Sequence, residues 1–262
     1  VALRNMEIAL PSLSERERRD LLARFYRHFA WSTVECLRLG RAPAEAPGWF
    51  APSDAEERLF ALVREGGGVL FLTAHIGNWE ALAAWLADRL ASRGREMAAI
   101  VRDPDDPEEA AILEARRRRF GLIPFDRTVP MTRVAGFLRR GGFLGILADQ
   151  HGGHEGVPVP FFGTLTSSAV GPGALALSAR VPLIPIWSER VGPFRHRVRF
   201  GDPLPVERLA SREETLRKAA EASNRAIEAM VRSAPEQWFW LHKRFKERGY
   251  GGPPPGGRPP AA

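Results

Sequence analysis

Between residues 69 and 148 the chain alternates short apolar runs with longer amphipathic ones, and this rhythm restricts the fold more than any other feature. The run opening at Val69, then Met97–Val101, Leu122–Phe125 and Phe143–Ala148, have the length and side chains of buried strands. The segments between them, Trp79 to about Ser92, Pro107–Arg119 and Met131–Arg140, have helical length. Strands separated by helices in this way pair in parallel, because each helix carries the chain back across the sheet. The expected class is therefore α/β, with a central, mostly parallel sheet flanked by helices. Helices near Gly171–Arg180 and over Arg212–Ser233, and strands Leu183–Glu189 and His196–Phe200, complete the pattern.

Ahead of this unit, residues 1–11 read as an extended lead-in. Ser14-Glu15-Arg16-Glu17 has the spacing of a capping box opening a long helix to about Leu39. Its apolar positions recur at helical spacing with basic residues between, which fits a core-packed helix or one lying on a membrane surface. Pro43–Pro52 reads as a loop and Ala55–Arg64 as a helix. A single domain over 1–248 is expected, with a disordered Pro/Gly-rich tail over 249–262.

Chemistry concentrates where the first strand ends, at His75-Ile76-Gly77-Asn78-Trp79-Glu80. Asn78 suits an N-cap and Glu80 a first helical turn. A turn at Gly77-Asn78 can fold His75 back so that one ring nitrogen meets the Glu80 carboxylate and the other is free. That is the arrangement of an oriented general base. Asp149-Gln150-His151 follows a later strand, at the sheet edge where open α/β folds place their ligands. The group Asp149, His151, His154 and Glu155 offers metal-type donors, but on a Gly-rich loop with no second cluster, and no metal is expected.

The net charge of +7 suits anionic partners, whether phospholipid headgroups, an acidic carrier protein or nucleic acid, without choosing among them. The single cysteine, Cys36, excludes an internal disulfide framework. No apolar run reaches the ~20 residues that span a bilayer, and the start has no signal-peptide pattern. Near the end, Pro235 to Lys246 interleaves aromatics with cations, a composition suited to a membrane interface or to stacking of single-stranded bases.

The His75–Glu80 stretch resembles the His-x4-Asp/Glu motif of glycerolipid acyltransferases, and His-Ile-Gly-Asn-Trp-Glu is most similar to the bacterial lipid A biosynthesis (lauroyl/myristoyl) acyltransferases. Further stretches resemble that family in the same order: Asn5–Pro11 with its helix, Asp149-Gln150, Gly156-Val157-Pro158-Val159-Pro160-Phe161-Phe162-Gly163, and Pro-Glu-Gln-Trp-Phe-Trp-Leu-His-Lys-Arg-Phe-Lys from 235 to 246. His151 departs from the acidic or small residue usual after Asp-Gln.

The resemblance implies a glycerolipid-acyltransferase-like fold with His75 and Glu80 as the catalytic pair. It implies transfer of an acyl chain from acyl carrier protein or acyl-CoA to a hydroxyl of a membrane glycolipid such as a lipid A precursor. No cofactor is required beyond the donor substrate. Substrate contacts are expected from Arg116 or Arg119, Asp149, an acyl-channel wall of Pro160, Phe161, Phe162 and Gly163, and Arg244 with Lys246. The implied place is the cytoplasmic face of the bacterial inner membrane, against an anionic surface, peripherally or through an N-terminal anchor absent from this chain. Other acceptors (a lysophospholipid, a phosphatidylinositol mannoside or an aminolipid) stay open, as does a non-enzymatic basic lipid- or nucleic-acid-binding module. Nucleic acid is not the expected partner.

Overall fold

The computed structural model describes residues 1–101 and 106–250. Its elements in chain order are α1 (Ala2–Ala9), α2 (Glu15–Arg41), α3 (Asp54–Arg64), β1 (Val69–Thr73), α4 (Trp79–Ala91), β2 (Met97–Val101), α5 (Pro107–Arg119), β3 (Leu122–Asp126), α6 (Met131–Arg139) and β4 (Phe143–Leu147). There follow β5 (Val157–Phe161), β6 (Thr164–Ser168), α7 (Gly171–Ala179), β7 (Leu183–Gly192), β8 (Arg195–Phe200) and α8 (Arg212–Ser233).

Strand β1 is buried at every position, as an apolar run in a sheet covered on both faces must be. Its period-two alternation divides two cores. Val69 and Phe71 pack with residues of α3 and α4, whereas Leu70 and Leu72 pack with α6, α7 and α8. The main sheet runs β3-β2-β4-β1-β7-β8; β7 and β8 pair antiparallel and the other neighbours in parallel. The expected strand–helix alternation is thus present. Because β1 and β4 are neighbours, with Thr73 paired to Leu147, the residues just past both strands emerge side by side.

Two expectations fail, each through a tertiary contact. Residues 2–9 are helical rather than extended, and Asn5 anchors that helix by donating from Nδ2 to the carbonyls of Trp240 and His242, both at 2.7 Å. Residues 157–168, for which no strand was expected, form the hairpin β5–β6. Its two turn residues, Phe162 and Gly163, have φ of 49° and 71°, the left-handed pair that matches strand twist. A phenylalanine is costly there. It is held because its amide donates to Glu228 (2.7 Å) and the Arg232 guanidinium lies 4.7 Å over its ring.

The Ser14/Glu17 capping box forms, and α2 buries Leu21, Phe25 and Leu39, so at least that face packs on the core. The ordered packing reaches Tyr250, whose hydroxyl accepts from the Phe245 amide and donates to Asn5 Oδ1. The remainder of the tail, residues 251–262, lies outside the described residues.

Candidate active site

His75 and Asp149 each stand two residues beyond the parallel strands β1 and β4, so the register of those strands brings them together. His75 Nδ1 donates to Asp149 Oδ1 at 2.8 Å. Asp149 Oδ2 accepts from the His75 amide at 3.1 Å and from Trp238 Nε1 at 2.8 Å. Three donors on one carboxylate that is 3% exposed make a built anion, not a surface charge.

Burial works against ionisation of both partners, yet attraction wins. For Asp149, burial is outweighed by the charge and hydrogen bond of His75 and by the Trp238 bond, so its pKa lies below the ordinary value. For His75, burial is outweighed by the charge and hydrogen bond of Asp149, with a smaller contribution from Glu80, so its pKa is raised. In the neutral ring the proton sits on Nδ1, leaving Nε2 with its lone pair. Among the described residues Nε2 has no hydrogen-bond partner, and the side chain retains 23% exposure.

The ring lines a cavity of about 460 Å³ with Trp79, Glu80, Arg117, Arg127 and Gln150 among its walls. Trp79 stands edge-on to His75, with centroids 5.0 Å apart, and Phe239 lies 6.2 Å away. A narrow apolar crevice shares Trp79, Ala83, Ala99 and Leu147 with this cavity and continues between α4 and the sheet to Leu86, Met97 and Ile186.

The turn joining His75 to α4 is fixed from three sides. Gly77 has a φ of 61°, and a Cβ there would stand 1.9 Å from the Ser188 carbonyl oxygen, so only glycine fits. The segment after α8 clamps the turn: the Phe239 amide donates to the His75 carbonyl (2.8 Å) and the Gly77 amide to the Gln237 carbonyl (3.1 Å). Asn78 caps α4 by accepting from the Ala81 amide, while its Nδ2 donates to Glu35.

Glu35 is buried on α2 and also accepts from Arg190, His196 and the Phe194 amide. Its own burial is outweighed by the His196 and Arg190 hydrogen bonds, which hold its pKa at about 2. Arg190 Nε donates to His28 Nδ1, so the other ring nitrogen carries the proton toward the Gly77 carbonyl at 3.1 Å. Burial, with the Arg190 charge, pushes His28 down to about 4. A buried ionic network thus ties α2 and β7 to the His75–Asn78 turn.

Several expected positions change. Glu80 does not meet His75 through a hydrogen bond. It accepts from Arg117 at 2.9 Å and has Arg116 at 3.7 Å, because the first turn of α4 faces the last turn of α5. The acid on the histidine is Asp149, which was expected to touch substrate and instead stands behind the ring.

Of the two arginines expected here, Arg116 reaches Glu80. Arg119 points away and donates to the Gly40 carbonyl; it stands two residues from Arg117, about 200° round the helix. Arg117 was missed; only its helical offset from Arg116, read against a known tertiary contact, distinguishes it.

Pro160, Phe161, Phe162 and Gly163 do not line the cavity. Phe161 is fully buried against Trp238 and Phe245, and Pro160 gives its carbonyl to Asn224. Arg244 is also fully buried: it donates to Ser167 O and Ser168 Oγ and lies 4.5 Å over the Phe161 ring. Burial lowers its pKa to about 10. Its work is holding the hairpin to the closing segment. Lys246 is exposed in the final helical turn and does not line the cavity. His151 Nε2 pairs with Glu247 at 2.9 Å, and among the described residues no group of three His, Cys, Asp or Glu side chains gathers as a metal site.

A histidine held by a buried carboxylate at the carboxyl edge of a parallel sheet, one nitrogen free beside a cavity, has the geometry that a general base requires. Residues 1–247 match the family model described as bacterial lipid A biosynthesis acyltransferase. The chain is 26% identical over 258 residues to the lipid A biosynthesis myristoyltransferase of Escherichia coli, covering 94% of this chain and 75% of that protein. It is 24% identical to the palmitoleoyltransferase of the same organism (96% and 79% covered) and 27% identical to lipid A biosynthesis acyltransferase 1 of Shigella flexneri (94% and 75%). The chain belongs to the bacterial lipid A biosynthesis acyltransferase family, and it is an acyltransferase.

Proposed function

We propose that the protein transfers a fatty acyl group from an acyl thioester, on acyl carrier protein or coenzyme A, to a hydroxyl of a lipid A-type membrane glycolipid. The observation that carries this reading is the 2.8 Å His75–Asp149 contact beside the cavity. His75 Nε2 takes the hydroxyl proton; the alkoxide oxygen attacks the thioester carbonyl. As the new C–O bond stays and the C–S bond breaks, the imidazolium returns its proton to the leaving thiolate. Asp149 stabilises the imidazolium in between.

The developing oxyanion needs donors. Among the described residues the amides of Trp79 and Glu80, at the open first turn of α4, have no hydrogen-bond partner, and Arg117 stands on the same cavity. The crevice between α4 and the sheet, not the hairpin Phe161–Phe162, receives the acyl chain beside the thioester. Each methylene buried there contributes about 0.8 kcal/mol. Among the described residues no helix is long and apolar enough to cross a membrane. We place the enzyme at the cytoplasmic face of the inner membrane, held peripherally or through an N-terminal anchor.

Incubating the protein, beside His75→Ala, with acyl carrier protein bearing labelled acyl chains and a total polar lipid extract tests the reading by mass spectrometry. Labelled lipid made by the parent and not by the variant is expected, and its mass names the acceptor. Equal transfer by both proteins would overturn the assignment of His75.

A further inference from the structure

Asn78 faces two ways, and a charge on another helix decides which end points where. Its Oδ1 accepts from the Ala81 amide at 2.9 Å, closing the first turn of α4, while its Nδ2 donates to Glu35 Oε2 at 2.8 Å. Glu35, on α2, is fully buried. A carboxylate only accepts, so Asn78 must present its NH2 to Glu35 and its oxygen to the helix. Turned the other way, Asn78 would set its NH2 against the Ala81 N–H, and the cap would be lost.

The other donors round Glu35 hold that carboxylate in place. Oε2 also accepts from His196 Nε2 at 3.1 Å, and Oε1 accepts from the Phe194 amide at 2.9 Å and from Arg190. The backbone of the turn is engaged as well: the Asn78 amide donates to Ser188 Oγ at 3.2 Å, and the Gly77 carbonyl accepts from His28 at 3.1 Å. The next two amides, of Trp79 and Glu80, are open beside His75 among the described residues. Their direction is set by the turn before them.

We infer that Glu35 is a positioning residue for acyl transfer: it orients the Asn78 side chain, which fixes the first turn of α4 and aims the Trp79 and Glu80 amides at the developing oxyanion. This rests on the acyl-transfer reading and extends it to a residue outside the cavity.

The test compares the parent with Glu35→Gln, Glu35→Gln combined with Asn78→Asp, and Asn78→Ala. In Glu35→Gln the amide oxygen stays on Arg190 and the Phe194 amide, its NH2 meets that of Asn78, and Asn78 turns over. Because small displacements of oriented groups slow the chemical step, kcat falls roughly 10- to 100-fold while KM stays within about twofold. The acid limb of the rate profile stays where it is, because burial, Asp149 and Glu80 shift His75 and Glu35 does not. A general loosening of the site would move that limb or KM.

Adding Asn78→Asp restores the contact with its polarity reversed. Aspartate caps a helix as well as asparagine does and accepts from the glutamine NH2. His196, whose Nδ1 has no partner among the described residues, moves its proton there and accepts at Nε2. The double variant therefore recovers most of the lost kcat. Asn78→Ala removes the cap without disturbing the other bonds of Glu35, and gives the same kcat loss if Glu35→Gln does not fold. An unchanged kcat in Glu35→Gln or Asn78→Ala, a loss that appears in KM instead, or one that the double variant does not recover overturns the inference.

Hydrogen–deuterium exchange at the Ala81 amide reads the cap apart from catalysis. If the parent transfers nothing, yet exchange quickens in Glu35→Gln and slows again in the double variant, acyl transfer fails and the hold of Glu35 on α4 stands. If exchange is the same in parent and Glu35→Gln, that hold fails.

Discussion

Replacing Asp149 by asparagine separates charge from shape at the catalytic dyad. The carboxylate accepts from three donors, the His75 ring, the His75 amide and Trp238 Nε1. An amide in the same place can face the last two with its oxygen only by turning its NH2 toward His75 Nδ1. The ring must then accept at Nδ1 and carry its proton on Nε2, which disarms the base on the cavity side. The fold keeps both remaining hydrogen bonds, so stability changes little.

The rate loss follows from the imidazolium formed in the transition state. Opposite charges about 4 Å apart at an effective dielectric of about 20 attract by about 4 kcal/mol. Losing that attraction costs kcat about 10³-fold. The direction of the pH effect is also determined. Asp149 raises the pKa of His75, so the parent gains activity as pH rises through a value above the ordinary 6.5. In the variant that acid limb moves to lower pH. Initial rates of acyl transfer followed by mass spectrometry between pH 5 and 9 provide the measurement. A kcat within tenfold of the parent, with the acid limb unmoved and the melting temperature retained, would refute the assignment of Asp149.

The other sites give distinct signatures. Glu80→Gln moves the acid limb of the rate profile less than Asp149→Asn, because Glu80 acts on His75 by charge alone while bonding to Arg117; an equal displacement in the pH titration of kcat would restore it as the orienting acid. Met97→Phe puts a stiff ring where a flexible thioether borders the crevice, so competition among donors of different length should shift toward shorter chains; an unaltered preference places the chain elsewhere. Arg244→Ala strands the half-buried Ser167 carbonyl and the buried Ser168 and Asn224 side chains and lowers stability by about 3 kcal/mol in urea unfolding, whereas a raised KM with unchanged stability would return it to the substrate. His28 is unfolded-like at 6.5 and depressed to about 4 in the fold, so its contribution is complete above pH 6.5 and is lost as pH falls toward 4. That loss is at most about 3 kcal/mol. His28→Gln, which keeps a donor for Gly77, should flatten part of the fall in urea midpoint between pH 6.5 and 4; His242, depressed to about 4 by burial, and, toward the acid end, Glu35 and Glu247, each held at about 2, contribute to the remainder.

What could be read from the chain depended on how local the cause was. Strand runs, the Ser14 capping box and the Asn78 cap involve residues within a few positions of one another, and they stand where their patterns put them. Asp149 was visible as a polar residue at a strand end, yet its partner was not. Pairing it with His75 requires knowing that β4 lies beside β1, and sheet order is written in no single segment. The short spacing from His75 to Glu80 suggested contact, and the structure instead spends that spacing on a turn whose Gly77 has no room for a Cβ.

The same reasoning explains why the closing aromatic-basic stretch misled. Arg244 was expected to touch substrate, but composition does not report direction, whereas the rings of Trp238 and Trp240 pack against the domain, the default for such rings. Trp238 turns inward to donate to Asp149, and Arg244 turns inward to hold the hairpin. A residue 163 positions beyond His75 in sequence, Trp238, therefore helps to position the His75–Asp149 pair. Matching blocks scattered along the chain need not all touch substrate. Here the C-terminal block acts on the reaction through the shape and charge of the dyad, which is why changes within it should alter kcat or stability before they alter substrate affinity.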